Sequence, residues 1–475
     1  MVELELPKMP SLVNKIVMDE ELINILYEKD SDVFIQVSNE LKQNIEDIKP
    51  ETILGSIYNK MVLAEKFIEL VPLYYDEAMN WWMWDRKSLY WKMSDEIDIL
   101  NIVNKTSEVN VINTKERNEI INALKLVARK NKPKDIDSFL IQFDKEILNL
   151  STGDRFVASP KHFITNPLPF KLGKSSDTSK FDKLFKEWVG NDYEALYEII
   201  AYCLIPEYPI ERIFALLGSG ANGKSTYLKI LYTFLGMKNI CTTNLDVLLK
   251  SRFETTRLYK KLACIMAETN LSSIENSQLI KRLVSGKDPV PIEFKNKGLI
   301  EFINYAKVII ATNNLPPTED KTDGFYRRWR IISFPHQFEK EVDVLADITQ
   351  EDYENLGCKC LFILDDILKN RGFKNEGCIA ERKAKYEEKS NPFEKFWSLN
   401  VDDDNPNTDI PCWEFEKEMN TYMKDNHVRT LSDRTIMKLM KERGINQVRL
   451  WKDWYENGEG CKKQMRCWAG ISWKK

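Results

Sequence analysis

Three runs in the middle of the chain are almost uninterruptedly apolar: Ile213-Phe214-Ala215-Leu216-Leu217, Leu262-Ala263-Cys264-Ile265-Met266-Ala267 and Ala306-Lys307-Val308-Ile309-Ile310-Ala311-Thr312. Runs of this length without polar alternation are what strands buried on both faces of a parallel sheet require. Around them the period becomes helical. Tyr227-Leu228-Lys229-Ile230-Leu231-Tyr232 follows the first run, and residues 181–202 lead into it with Phe185, Trp188, Leu196, Ile199 and Ile200 at helical spacing. Strands alternating with helices predict an α/β core.

The flanks carry other patterns. Residues 1–50 hold amphipathic helical stretches such as Leu22-Ile23-Asn24-Ile25-Leu26, and residues 100–150 again read as helical. Between them, Trp81-Trp82-Met83-Trp84-Asp85 and Tyr90-Trp91 sit either side of a polar break, which predicts a hairpin. Such a tryptophan cluster either builds a core or stacks bases; core is the expectation. Asn149 to Asp154 is a turn cluster, and residues 160–180 read as a long loop or linker. Residues 380–389 form a charged helix, expected to face solvent and to end at Asn391-Pro392. After a loop at 402–407 the pattern is helix, helix, then two short strands. Ser432 is the expected N-cap of the second helix, with Ile436, Leu439 and Met440 as its inner face. The strands are expected at 448–451 and 467–471. No internal repeat is found.

Composition narrows the class. At 475 residues the chain predicts several domains, and 43% hydrophobic with 30% charged residues is globular. The net charge of −4 gives no overall pull toward nucleic acid, so such binding needs local patches. One is visible: from Arg429 onward there are 12 basic residues against 5 acidic. No apolar run approaches the ~18 residues of a membrane span. The acidic start, Met1-Val2-Glu3-Leu4-Glu5, is not a secretory signal. The nine cysteines are scattered, with only Cys358 and Cys360 close, and are expected to be reduced thiols of an intracellular protein rather than metal ligands.

The chemistry concentrates at Gly218-Ser219-Gly220-Ala221-Asn222-Gly223-Lys224-Ser225-Thr226, which fits the phosphate-binding loop pattern between a buried strand and a helix. Glycines let backbone N–H groups turn toward phosphates, and the helix N-terminus faces the anion. Lys224 is placed for the β- and γ-phosphates of ATP and Ser225 for Mg²⁺. The second apolar run ends on Glu268, an acid suited to Mg²⁺ or to polarising water. The third ends near Asn313, a candidate for contact with the γ-phosphate. Then Arg327, Arg328 and Arg330 form either a solvated basic turn or a source of the arginine that neutralises transition-state charge.

Loop, Glu-ended strand, Ala311-Thr312-Asn313-Asn314-Leu315-Pro316 and Asp323-Gly324-Phe325-Tyr326-Arg327-Arg328-Trp329, in this order, resemble a superfamily 3 helicase of the phage and plasmid primase–helicase type, related to the poxvirus primase–helicase. The resemblance spans about 51–335 and is most specific over 214–334. It implies an AAA+ motor that assembles as a ring, usually a hexamer, with ATP and Mg²⁺ between subunits. It implies Glu268 as the acid of the second motif, Asn313 as the sensor, and Arg327 or Arg328 as the arginine finger. It also implies a DNA-gripping hairpin over 286–298, with Lys295 and Lys297 near its tip and Lys281 as a further contact. The family often has two acids where this chain has Glu268 alone, and Lys287 stands where a second glycine is common. No primase half is evident: His162, His336 and His427 lie near no carboxylate cluster. A primase would be a separate or fused partner.

The expected organisation is a helical segment (1–50), an α+β accessory domain (51–175), a helical collar (176–205), the AAA+ motor (206–340), a helical connector (341–390) and a winged-helix DNA-binding domain (391–475). The expected function is an ATP-driven replicative helicase of a virus, phage or plasmid on single-stranded and forked DNA, acting inside the cell. The alternatives are a DNA-binding initiator or packaging ATPase that unwinds nothing, and a nucleotide-dependent assembly module without DNA.

Overall fold

The computed structural model describes residues 59–106, 113–135, 139–251, 253–267, 274, 277–295, 297–339, 343–403, 408–425, 430–456 and 459–474. The patterns read over 1–50, Glu268 and Asn296 lie outside these residues.

Asn59 starts α1 (Lys60–Leu70) by accepting hydrogen bonds from Met61 N and Val62 N. An antiparallel sheet follows, β1 (Leu73–Tyr75), β2 (Trp81–Asp85) and β3 (Tyr90–Ser94), then α2 (Glu96–Thr106) and α3 (Thr114–Lys130). The expected hairpin is β2–β3, and its tryptophans point into cores on both faces. Trp81 packs with Phe67, Ile121 and Leu124, while Trp82, Trp84 and Trp91 pack with Phe163. All four are at most 6% exposed, so none offers a face to a base.

Residues 140–149 are strands rather than the expected helix. β4 (Leu140–Phe143) and β5 (Glu146–Asn149) pair antiparallel, joined by β6 (Arg155–Val157). Phe143 faces Glu146, leaving Asp144-Lys145 as a two-residue turn with Asp144 at φ 50°. That tight turn overrides the helical spacing of the apolar residues.

Next come α4 (Ser179–Val189) and α5 (Tyr193–Tyr202), separated at Gly190. The central sheet contains β7 (Ile213–Leu217), β8 (Ile240–Thr242), β9 (Ala263–Ala267), β12 (Lys307–Thr312) and β13 (Trp329–Ser333). Its order is β13-β7-β12-β9-β8, and every pairing is parallel. The connections carry α6 (Lys224–Leu235), α7 (Leu245–Lys250), α8 (Ser277–Leu283), the antiparallel hairpin β10 (Pro289–Glu293) and β11 (Leu299–Ile303), and α9 (Asp323–Tyr326). Two further helices, α10 (Gln350–Asn370) and α11 (Ile379–Ser390), belong to the same hydrophobic core through Leu356, Cys360, Leu361 and Tyr386. The charged helix is therefore anchored: Tyr386 is fully buried against Phe325, Tyr326 and Trp329.

The last unit has its own core around Phe396, Phe415, Met419, Ile436, Met440 and Trp468. It comprises α12 (Pro392–Asn400), β14 (Val401–Asp402), β15 (Asp409–Pro411), α13 (Cys412–Asp425), α14 (Asp433–Glu442), β16 (Gln447–Glu456), β17 (Glu459–Ala469) and β18 (Ser472–Trp473). Ser432 caps α14 by accepting from Thr435 N. Leu439 is only partly buried, whereas Ile436 and Met440 are in the core. The two strands are much longer than their apolar signal, because β16 and β17 pair over ten rungs, with β15 as a third strand.

Candidate functional site

Gly218, just past β7, donates its N–H to Thr312 O on the neighbouring strand. The chain then turns through positive φ at Gly220, Ala221 and Gly223 before α6 begins at Lys224. Two glycines are sterically required. A Cβ on Gly218 would lie 1.8 Å from Asn222 Nδ2, and one on Gly223, at φ 90°, would lie 2.7 Å from the Trp188 ring. The Lys224 ammonium folds back into the loop, 2.6 Å from Gly218 O and 2.8 Å from Asn222 Oδ1. Asn222 is held in turn by Phe334 O. Lys224 is 9% exposed, and burial pushes its pKa down to about 8. Among the described residues no carboxylate pairs with it. A cation with only neutral acceptors, at a helix N-terminus, is an arrangement that favours an anion. Ser225 and Thr226 follow on the first turn, with Ser225 exposed.

The loop opens into a cleft of about 1830 Å³. Thr312, Asn313 and Asn314 from the end of β12 line it, as does Ala267, the last residue before Glu268. Because β12 lies between β7 and β9, the Glu268 strand stands roughly 10 Å from the loop strand. Sequence reasoning missed several neighbours. Gln337 Nε2 bonds Ser219 Oγ at 2.7 Å, and Phe338 N bonds Ala221 O, so the segment after β13 braces the loop. Asn314 Oδ1 is buried with no hydrogen-bond partner among the described residues, whereas only Asn313 had been singled out. The far wall includes Leu431, Thr435 and Leu439 at the start and outer side of α14. Nothing local in the sequence marks those residues, some two hundred positions from Lys224.

Residues 216–328 match a family described as of unknown function (DUF5906). A protein of Acanthamoeba polyphaga mimivirus, "Putative helicase L207/L206", is 25% identical over 230 residues, covering 46% of this chain. The matched part is 24% of that relative, so the chain spans about a quarter of its length. Two apo structures of the NrS-1 C-terminal region are similar at TM-scores of 0.43 and 0.41. They are 14% and 13% identical, and each comparison covers 85% of this chain and 97% of the other.

The arginines lie at the opposite end of the sheet from the loop. Arg328 O accepts the N–H of Ile213, the first residue of β7. Arg328 is 8% exposed and committed to Glu211 and Gly324 O. Arg330 is buried on Glu198 and Lys374 O. Arg327 also pairs with Glu211, at 2.5 Å, but its side chain is 45% exposed.

The expected hairpin over 286–298 is present as β10–β11, and its lysines differ in environment. Lys295 is exposed. Lys297 bonds Asn80 Oδ1 at 2.6 Å, and burial lowers its pKa. Phe294 meets Tyr259 edge-on, and Tyr259 bonds Asp76, so the tip rests on the β1–β2 turn. Lys281 is paired with Asp320 at 2.5 Å. Burial alone would raise the Asp320 carboxyl, but hydrogen bonds from Lys281, Ser277 and Thr322 outweigh it and hold it well below the usual range. No helix among the described residues is long and apolar enough to cross a membrane.

Proposed function

We propose that this chain is an ATP-driven DNA motor of the superfamily 3 type, a replicative helicase working as a ring of copies, usually six. The observation that carries the proposal is Lys224, a buried cation folded into a strand–loop–helix turn and paired with no carboxylate among the described residues. The parallel sheet, with β12 between the loop strand and the acid-ending strand, supports the AAA+ reading. The viral relative named as a helicase supports the direction of the work. The C-terminal unit, with α13, α14 and the β16–β17 ribbon, supports a winged-helix DNA-binding domain.

Lys224 exchanges Gly218 O and Asn222 Oδ1 for phosphate oxygens as nucleotide enters, and the loop N–H groups cradle the β-phosphate. Ser225 and Glu268 would hold Mg²⁺, which neutralises phosphate charge. The exposed Ser225 hydroxyl and the carboxyl-end position of the β9 strand suit that donor set. Asn313, with Asn314 beside it, orients the γ-phosphate or the attacking water. Arg327 serves the site of an adjacent copy. The hairpin carries nucleotide-driven motion to single-stranded DNA through Lys295. A primase partner, separate or fused, would complete the replication function.

The test is ATP hydrolysis and strand displacement on a forked duplex. Wild type should do both, Lys224→Ala neither, and Glu268→Gln should bind ATP without turning it over. Hydrolysis with no displacement would favour an initiator or packaging ATPase, and near-normal turnover by Glu268→Gln would remove that residue from its role.

A further inference from the structure

The ribbon of β16 and β17 carries a surface that the nucleotide chemistry does not use. Its register pairs Gln447 with Trp468, Arg449 with Arg466, and Trp451 with Gln464. Side chains alternate along a strand, so these six lie on one face. At the root that face is core: Trp468 is 4% exposed, and Gln447 Nε2 lies 3.2 Å from Cys412 Sγ on α13. Farther out it leaves the protein. Arg449, Arg466 and Gln464 are exposed, and Trp451 is 68% exposed, the most of any large hydrophobic side chain described.

Two features of this face are costly for a ribbon with no partner. A tryptophan is displayed to water beyond the core that anchors the strands. Two arginines stand directly opposite each other, a like-charge pair that destabilises the ribbon, and no described carboxylate pairs with either. Lys452 on the other face differs, because Asp409 neutralises it at 2.5 Å. An anionic, π-faced ligand relieves both costs. The surrounding charge agrees: from Arg429 onward basic residues outnumber acidic by 12 to 5, in a chain of net charge −4.

We propose that this ribbon face is a single-strand nucleic-acid platform, with a base stacked on Trp451 and the flanking phosphates on Arg449 and Arg466. A duplex hides its base faces in the stack, so the occupant is an unpaired strand. Stacking and phosphate contacts read neither the base sequence nor the sugar. The inference rests on the DNA-directed reading above, but its test is a titration without nucleotide, so it stands or falls apart from the motor chemistry.

The full chain is titrated with fluorescein-labelled oligothymidylate, oligouridylate and a blunt duplex. Trp451→Ala should weaken both single strands roughly 5- to 150-fold and the duplex by less than about twofold. Trp451→Phe should recover most of the loss, since it retains a π-face. Arg449→Ala/Arg466→Ala should flatten the salt dependence on single strands by about 0.7 units per lost phosphate contact. All three residues are exposed, and unchanged thermal melting of each variant checks the fold. Unchanged single-strand affinity in Trp451→Ala overturns the proposal. So does a loss that is equal on the duplex, a Phe variant no better than Ala, or a change in oligomeric mass with DNA binding intact, which would assign the face to a second copy.

Discussion

Arg327 and Arg328 are adjacent in sequence, yet their surroundings predict opposite phenotypes. Arg328 is buried on Glu211 and Gly324 O, so Arg328→Ala leaves a half-buried carboxylate with one less cation. Complete loss of a buried pair costs about 3–5 kcal/mol, and the partial exposure of Glu211 reduces this to roughly 2 kcal/mol. For a core of this size that lowers the melting temperature by roughly 4–8 °C. Arg327 makes an exposed ion pair worth at most about 1 kcal/mol, so Arg327→Ala should melt close to wild type. Its catalytic effect should be larger. The loop begins five residues along β7 from the rung beside Arg328, about 16 Å at strand rise, beyond the reach of an arginine side chain. Arg327 therefore cannot serve the Lys224 of its own chain. If it serves a neighbour's, Arg327→Ala should lose on the order of 10³-fold in hydrolysis. Mixing it in equal amounts with Lys224→Ala should restore activity at about one interface in four, because each variant supplies the half-site the other lacks. The assays are differential scanning calorimetry and steady-state ATPase across mixing ratios. Near-normal hydrolysis by Arg327→Ala, or no rescue at any ratio, refutes the argument.

Other outcomes follow from the same surroundings. Folded Lys224 releases its proton near pH 8 and the unfolded lysine near 10.5, so between these values unfolding takes up a proton and stability rises with pH. Urea unfolding over that range should show a shallower rise for Lys224→Met than for wild type in the absence of nucleotide. At the hairpin, Lys295→Ala should flatten the salt slope of single-strand binding by about 0.7 units, whereas Lys297→Ala should mainly loosen the tip from Asn80. Faster hydrogen exchange over the β1–β2 turn in Lys297→Ala, absent in Lys295→Ala, checks that division. Tyr386→Ala empties a fully buried aromatic site against Phe325, Tyr326 and Trp329, and should cost about 3–5 kcal/mol in denaturant unfolding.

What the sequence determined alone is what is contiguous. The apolar runs at 213–217, 262–267 and 306–312 became buried parallel strands, because runs this short, bounded by turn residues, suit a strand covered on both faces and are too brief for a buried helix. The loop from Gly218 to Thr226 was legible because its backbone requirements lie within nine residues. The hairpin at 81–94 was visible from pattern and turn, whereas the one at 289–303 was expected, over 286–298, only through the family resemblance. Residues 140–149 were misread, because a two-residue turn at Asp144 outweighs a helical spacing that is ambiguous in so short a run. Everything that depends on who stands opposite whom waited for the tertiary structure. Nothing in Asp323-Gly324-Phe325-Tyr326-Arg327-Arg328 says which arginine Glu211 buries. Nothing in Phe294-Lys295-Asn296-Lys297 says which lysine Asn80 takes up, or in residues 341–390 that α10 and α11 complete the core. The bracing of Ser219 by Gln337, and the wall that α14 lends to the cleft, join residues more than a hundred positions apart. Burial and charge pairing are properties of such juxtapositions, and periodicity along the chain carries no record of them.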